Sequence, residues 1–330
     1  MKEPNEIIKT KKPIKYLSVC SGMEAASVAW HPLGWEPVGF SEIEPFPCEI
    51  LKQRFPNTPN YGDLTKYPEW PIQPGTVDVL VGGTPCQSFS VAGLRKGLAD
   101  PRGNLALVFL GLADRIKPKW IIWENVPGVL SSNGGRDFGS FLGALGQLGY
   151  GFAYRVLDAQ FFGVPQRRRR VFVVANLGDW RAAAEVLSLA EGVRGNLASG
   201  GKKRKGVAAD AGTGVEAGRG CWWDGGQVSQ TLDAVLQKGQ TMPEKNRFPA
   251  ILQPKPFVGV LTPMEVRRLT PIECERLQGF PDNWSRISWK GKPPEECPDG
   301  PRYKACGNSM AVPVMRWIGE RIQKFTHDHE

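Results

Sequence analysis

Val77-Asp78-Val79-Leu80-Val81-Gly82-Gly83-Thr84-Pro85-Cys86-Gln87-Ser88-Phe89-Ser90 is the stretch on which the fold turns. Val77–Val81 is short, apolar and β-branched, the pattern of a strand buried on both faces. The paired glycines that follow let the backbone turn tightly and approach a ligand. Pro85 stiffens the loop beside the Cys86 thiol. A cysteine at the carboxyl edge of a sheet is a nucleophile where its surroundings lower its pKa. A packed, inert free cysteine is the other reading of the same residue.

Similar runs lie on either side: Tyr16–Val19, Val38–Ser41, Trp120–Trp123, Arg155–Ala159 and Val171–Asn176. Helical stretches separate them, which predicts a parallel α/β sheet with helices on both faces. Ligands of such sheets bind beyond the carboxyl ends of the strands. Ser21–Gly22, Glu42, Gly82–Gln87 and Glu124–Asn125 fall at those ends.

Two further segments carry chemistry. In Trp123-Glu124-Asn125-Val126-Pro127-Gly128 an acid ends an apolar strand. Such a carboxyl is either a proton donor with a raised pKa or a strand-end ion pair. In Pro165-Gln166-Arg167-Arg168-Arg169-Arg170, leading into Val171–Ala175, alternate side chains share a face. Arg168 and Arg170 then point one way, toward a phosphate or base edge, or the run is a solvated basic face.

Composition narrows the class. The 330-residue chain is 41% hydrophobic, enough for a core, and has no apolar run of membrane-spanning length. Its formal charge of +9 favours an anionic partner such as nucleic acid, although a basic protein without one fits too. The seven cysteines are odd in number and form no Cys-x-x-Cys pair. Neither a disulfide framework nor a metal site is therefore expected, and a reducing cytoplasm fits. Only His31, His327 and His329 are available as histidines, which disfavours a cysteine nucleophile paired with histidine.

The character changes near Gly178. Glu191–Gly220 holds nine glycines and the basic cluster Lys202, Lys203, Arg204 and Lys205, and reads as irregular. Cys221-Trp222-Trp223-Asp224-Gly225-Gly226 follows. From Leu261 the pattern tightens: Pro271–Gln278 reads as a helix start, and Met310–Lys324 as an amphipathic final helix with Ser309 as its cap.

Taken in order, these segments resemble the DNA cytosine-5 methyltransferases of bacterial and phage type. Ser18–Ala25 resembles the first cofactor motif, and Pro85-Cys86-Gln87 the catalytic motif, with Asp100-Pro101-Arg102-Gly103-Asn104-Leu105 after it. Glu124-Asn125-Val126 is similar to the family's glutamate motif, and Gln166, Arg168 and Arg170 to its Gln-x-Arg-x-Arg. Arg268–Pro271 through Arg276–Pro281 and Gly307-Asn308-Ser309 match the last two motifs.

The resemblance implies a Rossmann-like, S-adenosylmethionine-dependent sheet with a small irregular target recognition domain. It implies a flexible terminus at 1–15, a catalytic domain at 16–178, a recognition domain at 179–262 and a returning segment at 263–330. Cys86, Glu124, Arg168 and Arg170 would be catalytic. Ser21, Gly22, Met23, Glu42, Ile43, Asp63, Leu64, Pro85, Leu105, Asn308 and Ser309 would hold the cofactor. Gln87, Ser90, Arg102, Gln166 and Lys202, Lys203, Arg204 and Lys205 would meet duplex DNA. A cytoplasmic monomer, of bacterial or prophage source and with or without a restriction partner, is the matching expectation.

The first motif departs from the family, which commonly has an aromatic where Cys20 stands and glycines where Glu24 and Ala25 stand. Ile43 replaces a tryptophan often found after the ribose-binding acid. Three competing readings are a dinucleotide-dependent oxidoreductase, an inactive DNA-binding relative and an RNA cytosine methyltransferase. The first lacks Gly-x-Gly-x-x-Gly after Val19. Intact Cys86, Glu124, Arg168 and Arg170 oppose the second, and the long variable segment at 179–262 favours duplex DNA over the third.

Overall fold

The computed structural model describes residues 12–84, 105–189, 250–254 and 264–329. The elements through the first half are β1 (Lys15–Val19), α1 (Ala25–Trp30), β2 (Glu36–Ser41), α2 (Pro45–Arg54), β3 (Val79–Gly82), α3 (Leu105–Ile116), β4 (Trp120–Asn125), α4 (Arg136–Gln147), β5 (Tyr150–Asp158), β6 (Arg169–Leu177) and α5 (Trp180–Leu187). After these come a hairpin of β7 (Ala250–Pro254) and β8 (Met264–Arg268), then α6 (Pro271–Gln278), α7 (Asp299–Asn308) and α8 (Val312–His329).

All the strands expected from sequence join one sheet in the order β2-β1-β3-β4-β6-β5. It is not wholly parallel. β6 runs antiparallel to both β4 and β5. The reason is local: residues 159–168 join β5 to β6 with no crossover helix, and a short connection permits only an antiparallel return.

Alternation along each strand feeds two cores. Tyr16, Val79, Val81, Ile122 and Val174 face α1, α5 and α8, while Leu17, Val19, Leu80, Ile121 and Val173 face α3 and α4. Burial on both faces explains why these strands read as continuous apolar runs. It also leaves the carboxyl ends of the strands as the open edge.

α5 lies inside the range expected for the recognition domain, yet it belongs to the sheet's helical layer. A side chain at Gly151 of β5 would meet the Trp180 nitrogen at 2.2 Å, so α5 sits directly on that strand. Arg321 of α8 donates to the carbonyls of Val186 (2.6 Å) and Glu185 (2.9 Å).

α6 starts where expected, with a reciprocal capping box between Thr270 and Glu273. Ser309 does not cap the last helix. It closes α7, its hydroxyl donates to the Met310 carbonyl at 3.1 Å, and α8 begins at Val312. Pro313 lacks an N–H and so belongs in a first turn, which sets the later start.

α8 returns to α1 at the first strand. Trp30 Nε1 donates to the Met315 carbonyl at 2.8 Å, and a Cβ on Gly319 would fall 2.4 Å from that same Nε1. Gly319→Ala is therefore expected to destabilise the fold by roughly 1–3 kcal/mol. Thermal melting should show a lowered Tm; an unchanged Tm would mean that α8 shifts without cost.

Candidate active site

The carboxyl ends of β1 to β4 open onto a cavity of about 780 Å³. The turn after β1 is unusual: Cys20, Gly22 and Glu24 all have positive φ, at 50°, 57° and 66°. Ser21 ties this turn to β2, since its hydroxyl donates to the Ser18 carbonyl at 2.9 Å and accepts from the Ser41 amide at 3.2 Å. The Gly22 amide donates to Glu42 Oε2 at 2.8 Å, and the amides of Ile43 and Glu44 donate to Glu42 Oε1. The Glu42 carboxylate is thus pre-set at the cavity wall by backbone donors. Asp63 opens the next turn by accepting from the Thr65 amide at 2.9 Å.

Asn60 ties the backbone at Glu42 to that at Gly62, the residue before Asp63. Its Oδ1 accepts from the amides of Glu42 (3.0 Å) and Gly62 (3.1 Å), and its Nδ2 donates to the Glu42 carbonyl. Sequence reasoning missed it, because an isolated asparagine carries no periodic or motif signal.

The deeper wall is the end of β4. Glu124 pairs across the ladder with Phe172, so Arg170 stands diagonally from it on the same face. Arg170 Nε lies 3.1 Å from Glu124 Oε1. Burial pushes the Glu124 carboxyl above the usual carboxylate range, while Arg168 and Arg170 pull it down. Arg168 is buried and donates to the carbonyls of Gly307 (3.1 Å) and Ser309 (2.7 Å). Burial lowers its guanidinium to about 9, with Arg170 adding to the effect and Glu124 opposing it.

Thr84 is held from the same strand. Its hydroxyl accepts from Trp123 Nε1 and its carbonyl from Asn125 Nδ2, both at 2.9 Å. Gly83 must be small, because a Cβ there would lie 3.0 Å from Glu124 Oε2 and 3.2 Å from Met310 Cε. The chain thus reaches Thr84, two residues before Cys86 in sequence, directly beside Glu124.

Residues 14–190 and 195–324 match the C-5 cytosine-specific DNA methylases. The chain belongs to that family. Among the relatives of this chain, the DNA N-6-adenine-methyltransferase of Escherichia phage P1 is 36% identical, aligned over 95% of this chain and 61% of its own length. This chain therefore spans less than two thirds of that relative. The Type II methyltransferase M2.BsuMI of Bacillus subtilis (strain 168) is 29% identical, over 94% of this chain and 76% of its own. An Entamoeba histolytica methyltransferase, EhMeth, superposes with a TM-score of 0.62 at 17% identity, covering 97% of this chain and 100% of that one, and so shares the fold.

The cavity gathers Gly22, Glu42, Ile43, Asp63, Leu64, Leu105, Glu124, Arg168, Arg170 and Asn308. Ser21 and Ser309 border a smaller neighbouring cavity instead. Two of the expected site residues turn their side chains away from the cavity. Met23 is fully buried in the core, and it is its carbonyl that is engaged, by Trp284 Nε1 at 2.8 Å. Gln166, expected at DNA, is 0% exposed and donates to the Leu277 carbonyl at 3.2 Å. It braces α6 against the sheet and has no surface to offer.

Pro85, Cys86, Gln87, Ser90, Arg102, Lys202, Lys203, Arg204 and Lys205 lie outside the described residues. The structure adds Phe46, Trp289, Lys304 and Glu44 to the cavity wall. Phe46 and Trp289 meet edge to face at 5.1 Å, and Lys304 pairs with Glu44 at 2.7 Å. These pairs join α2 to the C-terminal segment, so no local pattern announces them. Among the described residues no His, Cys, Asp or Glu cluster has metal-site geometry, and no helix is long and apolar enough to cross a membrane.

Glu24 is buried at the N-terminus of α1, and burial raises its carboxyl to about 7 from an ordinary 4.5. Between those values the folded chain keeps a proton that the unfolded chain has released. Stability must then fall as pH rises through that window, by up to about 3 kcal/mol. Melting temperatures from pH 5 to 8 should decline in the wild type, and Glu24→Gln should flatten the slope. An equal slope in both proteins would assign the effect to another group.

Proposed function

We propose that this protein transfers a methyl group from S-adenosylmethionine to carbon 5 of a cytosine flipped out of duplex DNA, through a covalent bond to Cys86. The observation that carries the reading is the buried Glu124, paired with Arg170 and set beside the Gly83–Thr84 segment that leads to Pro85-Cys86.

The residues present fit the methyl donor. Exposed Ile43 (67%) offers an apolar surface on the cavity wall, and the Glu42 carboxylate stands next to it, suited to sugar hydroxyls. Glu42, Ile43, Asp63, Leu64, Leu105 and Asn308 would hold the donor, with Pro85 beside them. Once bound, it supplies an electrophilic methyl group on a sulfonium.

Carbon 5 of cytosine is a poor nucleophile. The Cys86 thiolate adds to carbon 6, forming a carbon–sulfur bond and moving ring electrons toward carbon 5. Glu124 donates a proton to ring nitrogen 3 as charge gathers there. Arg170 sets its positive charge against the base carbonyl, and Arg168 holds the 307–309 backbone that borders the site. After carbon 5 has been methylated, its proton leaves to a base and the carbon–sulfur bond breaks, which restores the ring and the thiolate. A stacked base is out of reach of such a site, so the cytosine must leave the helix. Target reading falls to the segment between α5 and β8, where Lys202–Lys205 would add phosphate contacts.

The name of the phage P1 relative raises adenine N6 as a second target. An adenine amino group attacks a sulfonium directly and needs no thiol adding to the ring, so Pro85-Cys86 and Glu124 favour cytosine. Expression in a methylation-free host decides between them. Digested DNA should contain 5-methylcytosine, and bisulfite sequencing should place it in one recurring motif. N6-methyladenine without 5-methylcytosine would overturn the assignment. A modified RNA with unmodified DNA would overturn the choice of nucleic acid.

A further inference from the structure

A second cavity of about 40 Å³ is walled by Ser18, Ser21, Glu24 and Met310, together with residues of the large cavity. The two share Cys20, Gly22, Gly83, Glu124 and Asn308, so they are adjoining chambers of one site. The small chamber, at about 40 Å³, has room for about three or four water-sized groups at roughly 10–15 Å³ each.

Glu24 is the unexplained residue of this chamber. It is 0% exposed and holds a left-handed φ of 66°, a conformation that strains any side chain and suits glycine. Its Oε1 accepts from the Ser27 amide at 3.1 Å and so caps α1. Its Oε2 is buried and makes no hydrogen bond of normal geometry; the neutral hydroxyls of Ser18 and Ser27 are the side chains that favour its charged form. Capping needs one oxygen, and a serine or aspartate supplies it. A second, unsatisfied carboxylate oxygen costs free energy that the cap does not explain. No lysine or arginine among the described residues ion-pairs with Glu24; Glu124 lines the same chamber and Glu42 the adjoining one. The chamber is thus an acidic, enclosed pocket at the turn after β1, with an open hydrogen-bond acceptor and the size of a small cationic head.

We propose that Glu24 receives the ammonium group at the amino-acid end of the methyl donor, the small chamber taking that end while Glu42 and Asp63 serve the adenosyl end. The proposal rests on S-adenosylmethionine being the donor. It accounts for an acid standing where the family commonly has a glycine.

The test is calorimetric binding of S-adenosylhomocysteine, which keeps the ammonium group, and of its des-amino analogue, with no turnover involved. The wild type should bind the amine roughly 10- to 100-fold more tightly, the range of a charged hydrogen bond. Glu24→Gln, which keeps the cap oxygen but not the charge, should bring that ratio close to one and leave des-amino affinity within about threefold. An undiminished ratio in Glu24→Gln overturns the proposal, as does equal binding of both compounds by the wild type. That second comparison needs no variant, so it stands even if Glu24→Gln fails to fold. Absence of any S-adenosylhomocysteine binding to the wild type would instead remove the donor assignment itself.

Discussion

Cys86→Ala is expected to abolish methyl transfer, with a fall of at least about 10⁴-fold in rate and little change in Tm. Without the thiolate, no bond forms at carbon 6 and no electron density is pushed onto carbon 5. The large cavity and the Glu124–Arg170 pair are built by the sheet without Cys86, so the variant should still bind S-adenosylhomocysteine. A duplex carrying 5-fluorocytosine gives a second measurement. Fluorine at carbon 5 cannot leave as a proton does, so the wild type should stay covalently joined to DNA on a denaturing gel and Cys86→Ala should not. Retained methyl transfer in the variant would end the covalent mechanism.

Glu124→Gln is expected to lower kcat by about 10²–10⁴-fold, the usual contribution of a positioned general acid. Binding of DNA should change far less, because the amide keeps the shape of the carboxyl. The pH profile distinguishes acid catalysis from a purely structural role. Burial raises the Glu124 carboxyl, so the proton it must donate persists above the ordinary carboxylate range and is lost as pH climbs further. Cys86 needs the opposite change, from thiol to thiolate. The wild-type profile should therefore be bell-shaped, with limbs that belong to the coupled pair. Glu124→Gln should lose the alkaline fall while keeping the acid-side rise. A profile unchanged in shape would show that Glu124 serves only to hold Arg170.

Much of the fold was legible because each strand is buried on both faces and so reads as an unbroken apolar run. Tyr16–Val19 and Trp120–Trp123 needed only small extensions in the structure, to Lys15 and Asn125. The direction of β6 was not legible. Strand direction depends on the connection, and residues 159–168 carry no local mark that they turn back without a helix. The packing of α5 was not legible for a similar reason: its partners, β5 and Arg321 of α8, are remote in sequence.

The site divides along the same line. Glu42 and Glu124 could be read as chemistry because they sit at strand ends, where a parallel sheet collects ligands; Arg168 and Arg170 could be read from alternation along a strand, and Asp63 only from the resemblance. Motif position does not say which way a side chain points. Met23 turns into the core and Gln166 to the Leu277 carbonyl.

By itself the sequence determined the strands, the ordered motifs and the residue types that a carbon 5 methyl transfer requires, since these follow from local pattern and side-chain chemistry. Only the tertiary structure decided that Arg170 reaches Glu124, that Arg168 spends its donors on the carbonyls of residues 307 and 309, and that Trp289 helps to wall the cavity. It alone left one oxygen of Glu24 buried and unanswered. Such contacts join residues tens to hundreds of positions apart, and it is packing, not spacing along the chain, that brings them within hydrogen-bond range.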